Sequence, residues 1–321
     1  MAVQPAAVDG SGAPAVQGGR AASVHRPRVG VVKLASCDGC QLTLLALENQ
    51  LLDIAERFEI VEFAEATSRR SSGPFDVLFV EGSISTPEQA VEIVRLRAAT
   101  RVLVTIGACA TAGGIQALRT ASEHEAFRHA VYPAPAFVDS LEEATPISAH
   151  VTVDAELRGC PIDGGQLLEL LTAVATGRRP QLPDQAVCLE CKRRGYACVV
   201  VSRGEPCLGP VTQTGCGAIC PGMARGCYGC FGPREGANVD SLAEWYIDGP
   251  GSGGIAPPDV GRLFAGFTGA APAFRGITDR LAGRPRLPLA VATAHPPELA
   301  ATAPPRWSDE PPEGKAADAH E

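Results

Sequence analysis

Cysteine is the residue type through which this chain most clearly could do chemistry, and its distribution is uneven. Of the twelve cysteines, eight fall within residues 188–230, which we call the cysteine-rich segment. They are Cys188, Cys191, Cys198, Cys207, Cys216, Cys220, Cys227 and Cys230. The residues between them are mostly small or turn-forming and provide too little apolar surface for a core. Cross-links must therefore hold the segment, and disulfides, zinc and iron–sulfur clusters are the three candidates.

The other four cysteines lie far upstream in short contexts that often contain glycine. Cys37 and Cys40 form a Cys-x-x-Cys pair, Cys109 stands in a Gly-x-Cys context, and Cys160 in a Gly-Cys-Pro context. A single buried cysteine is usually no more than a small hydrophobic residue. Four thiols in one place, by contrast, suit zinc or a four-iron cluster. What matters is whether the fold brings them together.

The elements that would position these thiols alternate between strands and helices. Short β-rich or continuous apolar runs predict strands at 28–34, 59–63, 77–80, 101–106 and 151–153. Helical spacing predicts one helix that includes Leu42, Leu45 and Leu52, and another through residues 167–174. Such alternation predicts an α/β fold with a flavodoxin-like open parallel sheet and helices on both faces.

A further helix, between the third and fourth strands, has the clearest start signal. Ser85 or Thr86 is placed to cap it, and a proline follows in the first turn. Val91, Val94 and Ala98 then recur at helical spacing. This pattern predicts a helix that packs on the sheet.

In an open parallel sheet, sites form beyond the carboxyl ends of the strands. Cys37 and Cys40 follow the first strand, Cys109 follows a later one, and Cys160 comes after the last. Three strand ends therefore deliver four thiols to one edge of the sheet, which a chance distribution of buried cysteines explains poorly. The neighbouring glycines let backbone amides approach inorganic sulfide, and such hydrogen bonds tune the potential of a cluster.

A change of pattern after Pro180 and Pro183 predicts a domain boundary near residue 182. We expect the sheet domain to span 28–182. A small irregular cluster domain would span 183–285, with the apolar residues after about 240 packed over it as helices and turns. The two ends, 1–27 and 286–321, are rich in small residues, proline or charge, and predict a disordered arm and a disordered tail.

Composition limits the classes of function. The formal net charge of −8 argues against a general nucleic-acid binder, and the absence of a run of eighteen apolar residues argues against a membrane span. The N-terminus lacks the basic start and compact apolar region of a secretory signal, so we expect a cytoplasmic protein, in which disulfides are rare. Zinc stays open for the cysteine-rich segment, but twelve cysteines divided by four give three cubane sites. Three redox centres indicate a path for electrons.

Several motifs occur in the order in which they occur in a known family. They are Ser36-Cys37-Asp38-Gly39-Cys40-Gln41-Leu42-Thr43-Leu44-Leu45, Val80-Glu81-Gly82-Ser83-Ile84, Gly107-Ala108-Cys109-Ala110-Thr111-Ala112-Gly113-Gly114, Arg158-Gly159-Cys160-Pro161, and Cys207-Leu208-Gly209-Pro210-Val211-Thr212 followed by Cys216. Over about residues 28–236 the chain resembles the soluble nickel–iron hydrogenase small subunits. Within that family it looks most like the delta subunits of cytoplasmic, NAD(P)-linked sulfhydrogenases.

The resemblance implies three [4Fe-4S] clusters, each with four cysteine ligands. The implied proximal ligands are Cys37, Cys40, Cys109 and Cys160; the medial ligands are Cys216, Cys220, Cys227 and Cys230; the distal ligands are Cys188, Cys191, Cys198 and Cys207. The chain departs from periplasmic members of the family in two places. Cys188 stands where they use a histidine, and Cys220 adds a thiol where they often have a proline. Both departures favour clusters of low potential.

The resemblance also implies the partners. Hydrogen would be split or formed at a nickel–iron centre on a separate large subunit. Electrons would pass to a subunit that binds FAD and NAD(P), with a further iron–sulfur subunit in the complex. No side chain of this chain is expected to be catalytic, and the isolated chain should have no hydrogenase activity. A GxGxxG motif does not follow the first strand, so we expect no direct nicotinamide site here.

Two alternatives stay open from the sequence. A complex-I-type 20 kDa iron–sulfur subunit shares the first domain and its single cluster, but usually has adjacent cysteines and lacks the cysteine-rich segment. A zinc-stabilised interaction module would have no redox role. Near the predicted strand ends, Glu81, Asp38 and Gln41 are candidates for a place behind a cluster or at an interface, and a solvated or structural role explains each equally well. The six histidines show no ligand spacing.

Overall fold

A computed structural model describes residues 26–121, 123–250 and 254–281. The arm and tail predicted for 1–27 and 286–321 lie outside the described residues, apart from positions 26 and 27. Within the described part, no helix combines the length and apolar character needed to cross a bilayer.

Five parallel strands form one sheet in the order β2-β1-β3-β4-β5. The strands are β1 (Arg28–Lys33), β2 (Glu59–Phe63), β3 (Phe75–Glu81), β4 (Thr100–Ile106) and β5 (Ala155–Leu157). In the central strand β3, residues 77–80 have no exposed surface because helices cover both faces of the sheet. This confirms the predicted open parallel α/β fold.

Six α-helices belong to the described part of the sheet domain. They are α1 (Gly39–Leu45), α2 (Asn49–Arg57), α3 (Pro87–Ala98), α4 (Gly107–Ala112), α5 (His124–Val131) and α6 (Gly164–Thr176). Helices α1, α2 and α6 contribute to the core on one face of the sheet, which includes Leu44, Ile54 and Leu167. Helices α3 and α4 contribute to the core on the other face. Three short 3-10 helices, Ile115–Ala121, Pro135–Phe137 and Ile147–Ala149, lie in the long connection to β5.

Three details of the predicted elements were wrong. The first is that the single helix expected through Leu42 and Leu52 is two helices. Glu48, with a φ of 49°, separates them, because a left-handed backbone cannot continue a right-handed helix. Leu42 and Leu52 are exposed, and Leu44 and Ile54 face the core instead.

The second error concerns which face of α3 packs on the sheet. Thr86 caps α3 as predicted, in a reciprocal capping box with Gln89. Val91 and Val94 are 72% and 54% exposed, however, while Ile93 and Leu96 are buried. Both pairs are spaced by three residues, so periodicity alone could not decide between the two faces.

The third error is the position of the last strand. The predicted strand at 151–153 is irregular, and β5 begins four residues later, where Ala155 pairs with Val104. Asp154 holds the chain beside β4 just before β5 begins, because its carboxylate accepts a hydrogen bond from the Leu103 amide at 2.8 Å.

The cysteine-rich segment has little regular structure. It contains α7 (Val187–Arg193), α8 (Val199–Arg203) and α9 (Ile219–Gly222), and α10 (Val239–Asp248), α11 (Pro257–Phe264) and α12 (Pro272–Leu281) follow. The small apolar cluster within the segment includes two of its cysteines, Cys207 and Cys227. Helices α10 to α12 form a separate core against Leu208 and Val211. The apolar residues after about 240 therefore pack over the segment, as predicted.

Candidate iron–sulfur sites

The four upstream thiols, which we call the proximal thiols, meet at the carboxyl edge of the sheet. Cys37 lies in the turn after β1, Cys40 in the first turn of α1, Cys109 in α4 directly after β4, and Cys160 just beyond β5. Burial raises the pKa of Cys40, Cys109 and Cys160; Cys109 and Cys160 add to the shift of Cys40, and Cys37 adds to those of Cys109 and Cys160. The strand ends therefore bring the four thiols together.

Glu81 stands directly behind the proximal thiols. It ends β3, is only 2% exposed, and its carboxylate accepts hydrogen bonds from the amides of Cys40 at 3.2 Å and Gln41 at 3.3 Å. This contact ties the start of α1 to the central strand and so positions Cys40. Of the other two candidates near the predicted strand ends, Asp38 forms a salt bridge with Lys33 at the surface, whereas Gln41 is fully buried.

Gln116 is a neighbour of the proximal thiols that the sequence interpretation missed. Its side-chain oxygen lies 3.3 Å from the Cys109 sulfur, and its amide nitrogen donates to the carbonyl of Ala35 at 2.9 Å. Gln116 thereby links the loops after β4 and β1. It lies in a 3-10 helix seven residues after Cys109, and no motif in the sequence signals such a contact.

Two further groups of thiols lie in the cysteine-rich segment. The distal thiols are Cys188, Cys191, Cys198 and Cys207, and the charges of the other three raise the pKa of Cys188. The medial thiols are Cys216, Cys220, Cys227 and Cys230, among which Cys230 interacts with Cys216 and Cys220, and Cys227 with Cys230. Cys207 also interacts with Cys220 and Cys227, so the eight thiols form one continuous set of neighbours.

Single contacts join the three groups in sequence. The backbone of Cys160 lies against the Cys230 thiol, which connects the proximal and medial thiols. The amide of Cys227 donates to the Cys207 sulfur at 3.1 Å, which connects the medial and distal thiols. The medial group therefore lies between the other two.

Tyr246 holds the backbone where the medial and distal groups meet. This residue of α10 is buried, and its hydroxyl accepts a hydrogen bond from the Cys207 amide at 2.6 Å and donates one to the Cys207 carbonyl at 2.7 Å. Burial raises the pKa of Tyr246 to about 12, so the phenol stays protonated and can donate. The C-terminal helices thus anchor a cysteine from which they are distant in sequence.

Arg158 joins the sheet domain to the second domain close to Cys160. It pairs with Glu156 on β5, and it donates to the Gln213 side chain at 3.3 Å and to the Pro233 carbonyl at 2.8 Å. The side chain therefore spans the boundary beside the contact between Cys160 and Cys230. Its position in the Arg-Gly-Cys-Pro motif gave no indication of this contact.

The electrostatic surroundings of the thiols suit a positively charged metal group. Burial raises the pKa of Cys109 and of Cys188 to about 11 and that of Cys230 to about 12, with neighbouring thiols adding to the effect. Thiolates crowded together in this way need compensating positive charge, which coordinated metal supplies. All twelve cysteines lie in the described residues, and none is in a disulfide.

The space around the thiols is kept open by glycine. A Cβ on Gly107, which has a φ of 85°, would collide with the Cys40 sulfur, and one on Gly209 would lie 3.2 and 3.5 Å from the sulfurs of Cys207 and Cys188. No three His, Cys, Asp or Glu side chains of the described residues converge closely enough to share a single metal ion. A cubane cluster contains several atoms, with its thiolates on the outside, so wider spacing fits it.

Comparison with known proteins identifies the class to which this fold and these thiols belong. The family described as NADH ubiquinone oxidoreductase, 20 Kd subunit, matches residues 37–174. Sulfhydrogenase 2 subunit delta of Pyrococcus furiosus is 40% identical over 218 residues, which cover 68% of this chain and 91% of that protein. The delta subunit of the NAD-reducing hydrogenase HoxS of Cupriavidus necator is 27% identical over 49% of this chain and 82% of that protein. A solved NAD+-reducing [NiFe]-hydrogenase aligns with a TM-score of 0.47 at 28% identity, covering 50% of this chain and 96% of that chain.

The matches define an iron–sulfur subunit of an oxidoreductase complex. More particularly, the chain belongs to the small-subunit family of hydrogenases, with sulfhydrogenase 2 subunit delta as a relative. The 218 aligned residues exceed the stretch 37–174, so this likeness extends beyond the sheet domain. The resemblance to hydrogenase delta subunits is confirmed.

Proposed function

We propose that this chain is the electron-transfer small subunit of a nickel–iron hydrogenase, linking the nickel–iron site of a large subunit to a flavin- and NAD(P)-binding partner. The observation that supports this most is the succession of three thiol groups, joined by the contacts of Cys160 with Cys230 and of Cys207 with Cys227. A hydrogenase needs such a succession, because hydrogen chemistry and the final acceptor lie at opposite ends of the path.

In this proposal each group of thiols holds one [4Fe-4S] cluster, which supplies one-electron transfer when bound. The proximal, medial and distal thiols are the respective ligands. The assignment of Cys207 to the distal group follows the family motif, because Cys207 interacts with Cys188 and Cys191 and also with Cys220 and Cys227. Cys227 interacts with both Cys207 and Cys230, and its place in the medial group follows the family motif. The glycine-lined spaces beside Cys40 and beside Cys207 are compatible with these clusters.

The proposed large subunit would cover the proximal end. Cys37 and Cys160 are exposed, and the Leu42 side chain beside them on α1 is more than half exposed. A protein surface over this edge would exclude water from the thiols. The proposed acceptor side consists of the flavin subunit and a further iron–sulfur subunit, and the NAD-reducing HoxS relative supports a nicotinamide as the terminal couple.

The proposed domain division places the sheet domain at 28–182 and the cluster domain at 183–285. Between them, residues 177–186 contain no helix or strand, which supports a boundary there. We also propose a cytoplasmic location, where twelve cysteines without disulfides are stable.

Anaerobic purification followed by metal analysis and an EPR-monitored redox titration tests the proposal. Three clusters correspond to about twelve irons per chain, at four per cubane site. About four irons would favour the complex-I-type alternative, for which the match to the 20 Kd family over the sheet domain is the specific support. A colourless protein containing zinc would refute the redox role.

A pair of variants tests the assignment of the eight cysteines of the cysteine-rich segment to a medial and a distal cluster. Cys207→Ala should remove the distal EPR signal, and Cys227→Ala the medial one, although the two residues are in direct contact. Cys198→Ala and Cys216→Ala are the matched controls, because neither residue takes part in this contact. Cys198→Ala should remove the distal signal, and Cys216→Ala the medial signal. Loss of the medial signal in Cys207→Ala with the distal signal retained would refute the partition.

A further inference from the structure

The surface around the distal thiols has a charge opposite to that of the whole chain. Residues 186–231 contain five basic and two acidic side chains, a formal charge of +3, whereas the whole chain carries −8. The basic residues are Lys192, Arg193, Arg194, Arg203 and Arg225. Of the two carboxylates, Glu190 is turned inward, where it accepts hydrogen bonds from Thr214 and the Gly215 amide. With the cysteines counted as neutral, the exposed charged side chains of this region are therefore mainly cationic.

These five cations are exposed and stay out of ion pairs. None of them belongs to a salt bridge among the described residues, although arginines of the sheet domain such as Arg97, Arg158 and Arg178 do. Arg225 is held by a hydrogen bond with Tyr228, with Glu205 in its vicinity. Cations without carboxylate partners of their own remain available to a second molecule.

Exposed apolar side chains lie among the cations. Val201 is 87% exposed, Met223 73% and Ile219 61%. Arg203 reaches the carbonyl of Ala224, and the Tyr196 ring lies against Gly222, so α8 and α9 contribute to one surface. We call this surface the distal face; it comprises residues 192–194, 196–203 and 219–225.

The distal face also contains the most accessible distal thiol. Cys198 is exposed immediately before α8, and Lys192 lies near Cys188 and Cys191. An apolar centre within a charged rim is the usual design of a protein interface. A molecule that docks here is brought directly against the distal thiols.

We propose that the distal face docks an acidic redox protein, whose carboxylates meet the five cations while its apolar contacts cover Val201 and Met223. The proposal rests on the proposed function and names the kind of partner that function requires. Docking forms no covalent bond, and each transfer moves one electron from this chain to the partner. The acidic remainder of the chain repels an acidic partner and restricts docking to this face.

The proposal is tested by measuring how a purified acidic ferredoxin with two [4Fe-4S] clusters binds to the full iron-loaded chain. Biolayer interferometry gives the association rate at a series of NaCl concentrations. We expect an association rate that falls at least about tenfold from low to high salt. The double variant Lys192→Glu/Arg193→Glu should lower that rate by about tenfold at low salt. Arg57→Glu is the matched control, because Arg57 is an exposed arginine of α2 outside the observed ion pairs, and it should leave the rate within about twofold.

Two further probes decide what recognises the face. A basic cytochrome c should bind the native chain more weakly than the charge-reversed variant. Anionic phospholipid vesicles are the other probe: vesicle binding that is lost in the charge-reversed variant, together with ferredoxin binding that is not, would replace the proposal with a membrane surface. Unchanged ferredoxin binding in Lys192→Glu/Arg193→Glu, in a preparation with full iron content, would overturn the docking site alone. Zinc in place of iron would overturn the proposed function itself.

Discussion

The sheet edge and the cysteine-rich segment arrange thiols in two different ways. At the sheet edge, four thiols end strands and begin helices that pack on two extensive apolar cores. In the cysteine-rich segment, eight thiols lie on short helices and turns, and two of them belong to the small apolar cluster themselves. The first site is therefore built on a scaffold that is stable without it, whereas the second region depends on what its thiols bind.

The two regions also differ in whether their basic side chains form salt bridges. Around the sheet, arginines are mostly paired with carboxylates at the surface. Around the distal thiols, five cations are unpaired, as described above. The cations of the distal face are therefore available to another molecule, whereas most arginines of the sheet domain already have carboxylate partners.

Removal of iron should separate the two regions most clearly. After anaerobic chelation we expect amide hydrogens of α7, α8 and α9 to lose nearly all their protection, while those of β3 and β4 keep theirs. The sheet packs on two extensive apolar cores, whereas α7 to α9 share only a small cluster that includes two cysteines. Hydrogen exchange with mass spectrometry measures both regions in one sample. Equal loss of protection in the two regions would remove the contrast.

Single cysteine variants should show the same contrast at a smaller scale. Cys109→Ala should reduce the iron content from about twelve to about eight, because three thiolates cannot close a cubane site, and leave the sheet intact. Cys191→Ala should lose the same amount of iron and also destabilise α7 and α8. Metal analysis combined with hydrogen exchange tests both, and an intact α7 in Cys191→Ala would contradict the expectation.

Glu81→Gln should change the potential of the proximal cluster and of no other. Replacing a buried carboxylate by a neutral amide removes negative charge behind Cys40, which favours the reduced cluster by on the order of 1 kcal/mol at an effective dielectric constant of about 20. For one electron this corresponds to a rise of about 40 mV. Redox titration by EPR measures the shift.

Glu62→Gln is the control for that variant, since Glu62 is also a nearly buried glutamate, but it lies on the edge strand β2 and accepts a hydrogen bond from the Ser71 amide. It should leave all three potentials unchanged. A purely structural role for Glu81 would show as lost iron with no defined shift.

Tyr246→Phe should have the smallest effect and a local one. The variant keeps the buried ring but leaves the amide and carbonyl of Cys207 without their partner, which costs about 1–3 kcal/mol. Hydrogen exchange around residues 207–209 should accelerate accordingly, and the distal potential should shift while the proximal one stays constant. Tyr132→Phe, an exposed tyrosine of the sheet domain, is the control and should change neither.

Much of the fold and site followed from local patterns. Short β-rich or continuous apolar runs located four of the five strands, and the order of strands and helices predicted a parallel sheet with thiols at its carboxyl edge. Glu81 could be named but not assigned, because an acidic residue at a strand end is equally common at a surface. Gln116 and Tyr246 could not be found at all, since each contacts its cysteine through a loop or helix that no motif connects to it.

The sequence by itself determined the number and types of the donors, the strand ends that deliver the first four, and the family to which the motifs point. Only the tertiary structure decided which side of α3 is buried, where β5 begins, and which residues hold Cys40 and Cys207 in place. It also showed that the unpaired cations share one surface with the distal thiols. The physical reason is that covalent spacing and periodicity act within a few residues, whereas burial and hydrogen-bond pairing depend on segments brought together from distant parts of the chain.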